Sequence, residues 1–306
     1  MIFLGLASNL SAGQIIGQLF AWGTKRDSRK LRKALAEKYQ GKAEEVRLYH
    51  TGRSALAAGF RAAGSSSGKV IVPGLTCIAV IRAVRAAGFE PVYADIDPQT
   101  LQYDWEKLEK TIKSIDKNGN LCYNGSIIVA QNTLGLPLDM QKLEKLAQSH
   151  QLKIVEDLAH SAGRFYPDGR EIGTVGVATA LSFGKGKAID TSEGGALILR
   201  NGWQEPTAEK TLGPAIQDFP AEPRKRPKLA DTLRDRWYPV FGALIRGGYH
   251  LGLGKILTAV LVKLHWIALS ADADLDEDVR LTHWQAKLAR KQLAQLPRTP
   301  LREFAL

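Results

Sequence analysis

The chain has 306 residues, with 42 lysines and arginines against 31 aspartates and glutamates, a formal charge of +11. Hydrophobic residues make up 44% and charged residues 24%, which excludes a disordered or collagen-like chain and allows a large core without covalent staples. Two cysteines, Cys77 and Cys122, cannot form a disulfide framework, no Cys/His cluster has metal-ligand spacing, and a reducing cytoplasm is the expected compartment.

Residues 1–24 carry no charged side chain, but Ser8, Asn9, Ser11, Gln14 and Gln18 interrupt the apolar run. No basic start leads it, so neither a signal peptide nor a membrane span is expected there. Residues 1–40 read as an N-terminal helical arm. From 41 to 204, short β-branched runs alternate with helical patterns and read as one large α/β domain. The predicted strands are Lys69–Pro73, Pro91–Asp95, Ser126–Gln131, Lys153–Glu156, Ala178–Phe183 and Ala196–Arg200. The predicted helices are Ser54–Ala63, Thr76–Ala87, Asp104–Ile115 and Asp139–His150. Such alternation means βαβ units and a mostly parallel sheet, with its chemistry beyond the carboxyl ends of the strands.

After Arg200 the character changes. Residues 205–236 hold Pro206, Pro214, Pro220, Pro223 and Pro227 around Arg224-Lys225-Arg226, and read as an irregular basic linker. Residues 237–271 read as apolar helix and complete a 205–275 insertion. Their Trp237, Tyr238, Tyr249 and Trp266 lie among Arg234, Arg236, Arg246, Lys255 and Lys263. A hairpin packed on the body or on a partner is the plainer reading; an interfacial helix on anionic lipid is the other. Residues 276–306 begin a C-terminal region, with a helix over 279–296.

Three groups of residues fall at the ends of predicted strands. Thr51-Gly52-Arg53-Ser54 precedes a helix, where backbone amides and the helix dipole favour an anion; a plain turn with a cap is the alternative. Glu156-Asp157 ends an apolar strand and leads into Leu158-Ala159-His160, so an acid is placed to face a cleft or to cap a helix. Ser182-Phe183-Gly184-Lys185-Gly186-Lys187 runs off another strand, followed by Ser192-Glu193-Gly194-Gly195. A lysine held there and desolvated becomes a nucleophile towards aldehydes.

In this order and spacing the residues resemble the sugar aminotransferases of the DegT/DnrJ/EryC1/StrS family. Thr51-Gly52-Arg53-Ser54-Ala55-Leu56 is similar to the family's S-G-T-x-A-L, and Pro73-Gly74-Leu75-Thr76-Cys77 to its P-x-x-T-[FCW]. Glu156-Asp157-Leu158-Ala159-His160 matches E-D-x-A-[QH], Ser182 to Lys187 matches S-F-x-x-x-K, and Ser192 to Gly195 stands for G-E-G-G. The resemblance covers about residues 30–200 and returns weakly at 281–296.

It implies an α/β fold of the fold-type-I kind: a three-layer sandwich on a mostly parallel sheet, here with a helical C-terminal excursion. It implies pyridoxal 5'-phosphate as cofactor and a homodimer. Lys187 would bond the cofactor aldehyde and shuttle the proton, with Lys185 as the rival; its offset from Ser182 favours Lys187. Asp157 would pair with the pyridine nitrogen. Gly52, Arg53, Ser54 and Ser182 would hold the phosphate, His160 would lie beside the ring, and Cys77 would sit where many relatives stack an aromatic ring. The reaction implied moves an amino group from an amino acid donor to a keto sugar, of the nucleotide-linked kind, in polysaccharide biosynthesis. A basic cleft suits such an anionic substrate, and no motif points to nucleic acid.

The family continues into a small C-terminal domain, whereas this sequence ends at Leu306, so a truncated C-terminal region is expected. A cofactor-binding homologue with impaired turnover and a membrane-peripheral or scaffold protein are the competing classes. A sugar dehydratase is disfavoured, because the variants compared with it carry histidine in place of the lysine.

Overall fold

Ile127, Ile128, Val129 and Ala130 are all buried, and a strand apolar at every residue needs cover on both faces. The computed structural model, which describes residues 10–64, 68–115, 125–200, 222–264, 266 and 275–297, supplies that cover. Its sheet contains β1 (Val46–Tyr49), β2 (Lys69–Pro73), β3 (Glu90–Ala94), β4 (Ile127–Gln131), β5 (Lys153–Asp157), β6 (Ala178–Ser182) and β7 (Gly195–Leu199). The spatial order is β1-β7-β6-β5-β4-β2-β3. Within it, β7 runs antiparallel to its neighbours β1 and β6, and the other pairings are parallel.

The helices are α1 (Ala12–Leu19), α2 (Lys25–Lys38), α3 (Gly52–Ala63), α4 (Ile78–Ala86), α5 (Trp105–Ile115), α6 (Met140–Ser149), α7 (Leu229–Gly247), α8 (Leu253–Lys263) and α9 (His283–Leu293). Strand alternation divides the core in two. Val129 and Val155 face α3 and α4, packing with Leu56, Phe60 and Val84. Ile128 and Ile154 face the other side, with Leu108 of α5, Leu143 of α6, Leu31 and Leu35 of α2, and Ala289 of α9. The N-terminal helix α2 and the C-terminal helix α9 therefore share one core with the sheet. A smaller cluster of Tyr238, Ile245 and Leu261 joins α7 to α8.

Up to β7 the predicted elements lie within two residues of those observed. Strand β1 is an addition: four residues interrupted by Arg47 carry little periodic signal, and pairing with β7 makes the strand. The basic stretch is corrected too, since α7 starts at Leu229, just past Pro227, so 229–236 is helical and not irregular. Pro239 then lies inside α7, buried. Cys122 lies outside the described residues. Among the described residues no helix is long and apolar enough to cross a membrane.

Candidate active site

Successive residues of a strand point to opposite faces, and at the end of β5 this splits one acidic pair between two roles. Glu156 is fully buried. Its Oε2 accepts from the Tyr166 hydroxyl at 2.6 Å and Gly173 N at 2.7 Å, and its Oε1 from Val175 N at 2.7 Å and Gly176 N at 2.6 Å. It organises the loop that leads into β6. Asp157 takes the opposite face, at the carboxyl edge of the sheet, where its Oδ1 accepts from Ala159 N at 2.9 Å. Burial raises the Asp157 carboxyl above its ordinary range, opposed by that hydrogen bond and by the charges of Lys187 and His160.

Lys187 reaches the same place from the loop after β6. Gly186, with φ of 73°, turns that loop; Gly186 N donates to Asp190 Oδ2 at 2.9 Å, and Lys187 N to Gly184 O at 3.2 Å. Burial lowers the Lys187 amine, while the nearby Asp157 and Cys77 pull it back up. Lys185 goes elsewhere: its Nζ lies 3.5 Å from Glu193 Oε1 and 4.3 Å from the centre of the Tyr238 ring on α7. The structure separates the two lysines, and Lys187 is the one that couples to the buried acid.

The start of α3 closes the third side. Thr51 caps the helix, its Oγ1 accepting from Ser54 N at 3.1 Å. A Cβ added to Gly52 would lie 2.7 Å from Ser182 Cβ and 2.8 Å from Ser182 Oγ; one added to Gly195 would lie 2.6 Å from Gly52 Cα. Helix start, end of β6 and start of β7 thus meet backbone to backbone, which glycine alone permits at these two positions. Gly52 and Ser182 thus meet at the start of α3, beside half-buried Arg53, where free backbone amides and the helix dipole favour an anion. Ser54, fully buried, hydrogen-bonds Thr51 Oγ1 at 2.9 Å and donates to Asp276 O at 3.1 Å.

His160 is exposed at the mouth, its imidazole lowered by partial burial and by Lys187, with Asp157 opposing. Cys77, also exposed, is the N-cap residue of α4. Sequence reading misses Gln131, which ends β4 in register with Asp157. Its Nε2 donates to Leu75 O and Thr133 Oγ1, both at 3.0 Å, and its Oε1 accepts from Thr76 Oγ1 at 2.5 Å, tying down the loop that holds Cys77. A polar residue closing an apolar strand is the signal for it.

Behind the lysine loop lies a second unanticipated group. Gln285 of α9, fully buried, donates through Nε2 to Glu193 O at 2.9 Å and to Asp235 Oδ2 of α7 at 3.2 Å. Gln18 of α1 donates to Ser192 Oγ at 2.8 Å and Asp235 O at 2.9 Å. Ser192 has φ of 69°, a left-handed conformation that the family's glycine would adopt freely. His50 Nε2 stands 3.7 Å from Asp235 Oδ2. Three helices thus hold the loop that bears Lys187.

An amine with a lowered pKa, a buried carboxyl beside it, and a glycine-lined helix start with a hydroxyl are the parts a phosphorylated aldehyde cofactor with a basic ring nitrogen needs. The sequence profile of the DegT/DnrJ/EryC1/StrS aminotransferase family matches residues 20–218. The chain belongs to that family. Its enzymes depend on pyridoxal phosphate, and the residues just described fit that cofactor. GDP-perosamine synthase of Escherichia coli O157:H7 is 33% identical over 192 residues, 62% of this chain and 46% of the relative. The structure of DesI determined with its TDP-sugar product is 26% identical, with a TM-score of 0.52, over 64% of this chain and 49% of that one. Spr1654 of Streptococcus pneumoniae in its PLP form shares the fold at 18% identity, with a TM-score of 0.58, over 94% of this chain and 65% of that one. The chain spans about half the length of the curated relatives it matches.

Proposed function

We propose that this chain works with pyridoxal 5'-phosphate to move an amino group from an amino acid donor to a keto sugar carried on a nucleotide. The observation that carries this reading is the convergence of half-buried Lys187 on buried Asp157, from two different strand ends, beside the start of α3. When bound, the cofactor supplies the electron sink that stabilises a carbanion next to nitrogen. The Lys187 Nζ, brought towards neutrality by burial, would take the proton from the donor carbon that gives up nitrogen and, in the second half of the reaction, deliver one to the sugar carbon that gains it. Asp157, acting as a carboxylate, would hold a proton at the ring nitrogen. Ser182 and the amides at the start of α3 would bind the phosphate, and His160 would lie beside the ring.

The nucleotide-linked sugar is supported by the names of the relatives and by the +11 charge, which attracts a diphosphate. A homodimer is part of this reading, because fold-type-I enzymes build the site between two copies. The test is the visible spectrum of the purified protein with pyridoxal phosphate, then with glutamate, then with a nucleotide-linked keto sugar. A shifted band that glutamate bleaches and the keto sugar restores is expected. A band that survives every amino donor identifies a cofactor-binding homologue without turnover, and no band removes the reading. Sedimentation should show a dimer.

A further inference from the structure

The helices α7 and α8 leave an apolar surface that the catalytic reading does not use. With about 100° between successive helical residues, Leu233, Trp237 and Leu244 of α7 fall within an arc of about 40°. Leu253, Ile256 and Val260 of α8 fall within about 60° of one another. These six side chains are between 40% and 63% exposed. Single exposed leucines are ordinary, but two stripes on one hairpin are not. The hairpin is also preorganised: Tyr238, Ile245 and Leu261 pack it from within, Trp237 stacks on Phe241 at 6.2 Å, and Trp266 meets Phe241 edge-on at 5.6 Å.

Charge selects the occupant. From Arg236 to Ala271 the sequence has four basic residues, Arg236, Arg246, Lys255 and Lys263, and no aspartate or glutamate. Arg246, Lys255 and Lys263 are exposed on the same hairpin, and Lys263 flanks the α8 stripe, about 20° beyond Ile256. A second copy meeting this face symmetrically would set like charges against each other with no acid from either hairpin. An anionic bilayer surface offers both acyl chains for the stripes and phosphates for the cations. We infer that the α7–α8 hairpin docks this protein on the surface of an anionic phospholipid membrane. Because the Tyr238 ring of α7 lies 4.3 Å from Lys185 Nζ of the lysine loop, the docked protein carries its active site beside that surface.

The test is flotation of the full chain with phosphatidylcholine vesicles prepared with and without phosphatidylserine. Binding is expected with phosphatidylserine and weak without it, and it should fall as salt is raised. Trp237→Glu/Ile256→Glu/Val260→Glu should abolish it while thermal melting confirms the fold, since all three side chains are exposed. Lys255→Gln/Lys263→Gln should weaken it about tenfold or more, and Lys187→Ala should bind as wild type. No binding to anionic vesicles, or binding that both hairpin variants leave intact, overturns the inference. So does a solution dimer that the apolar triple variant splits without changing flotation, which assigns the face to a second copy.

Discussion

Glu156 and Asp157 are neighbours in sequence, and isosteric changes at the two should have opposite effects. In Glu156→Gln the volume is kept, but an amide has one accepting oxygen where the carboxylate has two. Four donors converge on the wild-type group. The better orientation of the new amide puts its NH2 towards Tyr166, whose hydroxyl can turn and accept, and leaves Gly173 N without a partner. An orphaned buried N–H costs about 1–3 kcal/mol. The bonds from Val175 and Gly176 also lose charge assistance, roughly 1 kcal/mol each. The sum is a destabilisation of about 3–5 kcal/mol, or about 6–10 °C in melting temperature at about 2 °C per kcal/mol.

Asp157→Asn runs the other way. A carboxyl whose folded pKa is raised contributes stability fully below its unfolded pKa and loses it as pH rises through the folded value. Above the folded pKa the asparagine removes a buried charge, and there the cofactor-free variant should melt no lower than wild type. The gap should shrink as pH falls towards the ordinary carboxylate range. Reaction with the amino donor should nevertheless be lost. The assay pairs thermal melting of cofactor-free protein with spectral titration by pyridoxal phosphate and then glutamate. A Glu156→Gln protein that melts like wild type would refute the reasoning, as would an Asp157→Asn protein that melts several degrees lower yet still responds to glutamate.

Borohydride reduction of the cofactor-loaded protein should leave a phosphopyridoxyl group on Lys187, and Lys185→Ala should leave that labelling intact; an adduct on Lys185 would reverse the assignment. Because burial lowers the Lys187 amine and Asp157 raises it, labelling should have its pH midpoint below 10.5, and Asp157→Asn should move it lower still. An unmoved midpoint would mean that the two groups do not interact. Gly52→Ala puts a Cβ 2.7 Å from Ser182 Cβ and should cost about 1–3 kcal/mol by overpacking, with weaker binding of pyridoxal phosphate. Melting and titration would check both. Asp235 is buried with Glu193, Lys185, Asp231, His50 and Gln285 around it, and its carboxyl is raised well above the ordinary range, chiefly by burial. Wild type should lose stability relative to Asp235→Asn as pH rises above the ordinary carboxylate range and through the raised folded value. A variant that melts lower throughout would show that the carboxylate is needed as an acceptor.

Hydrophobic runs and their spacing make the β2-to-β7 elements legible without coordinates, because each run is long enough to state its own period. The motif order also assembles Gly52, Asp157, Ser182 and Lys187 at strand ends, since a parallel sheet delivers its carboxyl ends to one edge. Strand β1 is not legible in this way. Its four residues become a strand by pairing with β7, a partner about 150 residues away. Nor can spacing show that Ser54 bonds to the backbone at Asp276, or that Lys185 turns to Tyr238. The group formed by Gln18, Ser192, Asp235 and Gln285 comes from four separate segments with no shared pattern. Periodicity is a local property of the chain, whereas a buried polar group finds its partners only when distant segments close around it and exclude water.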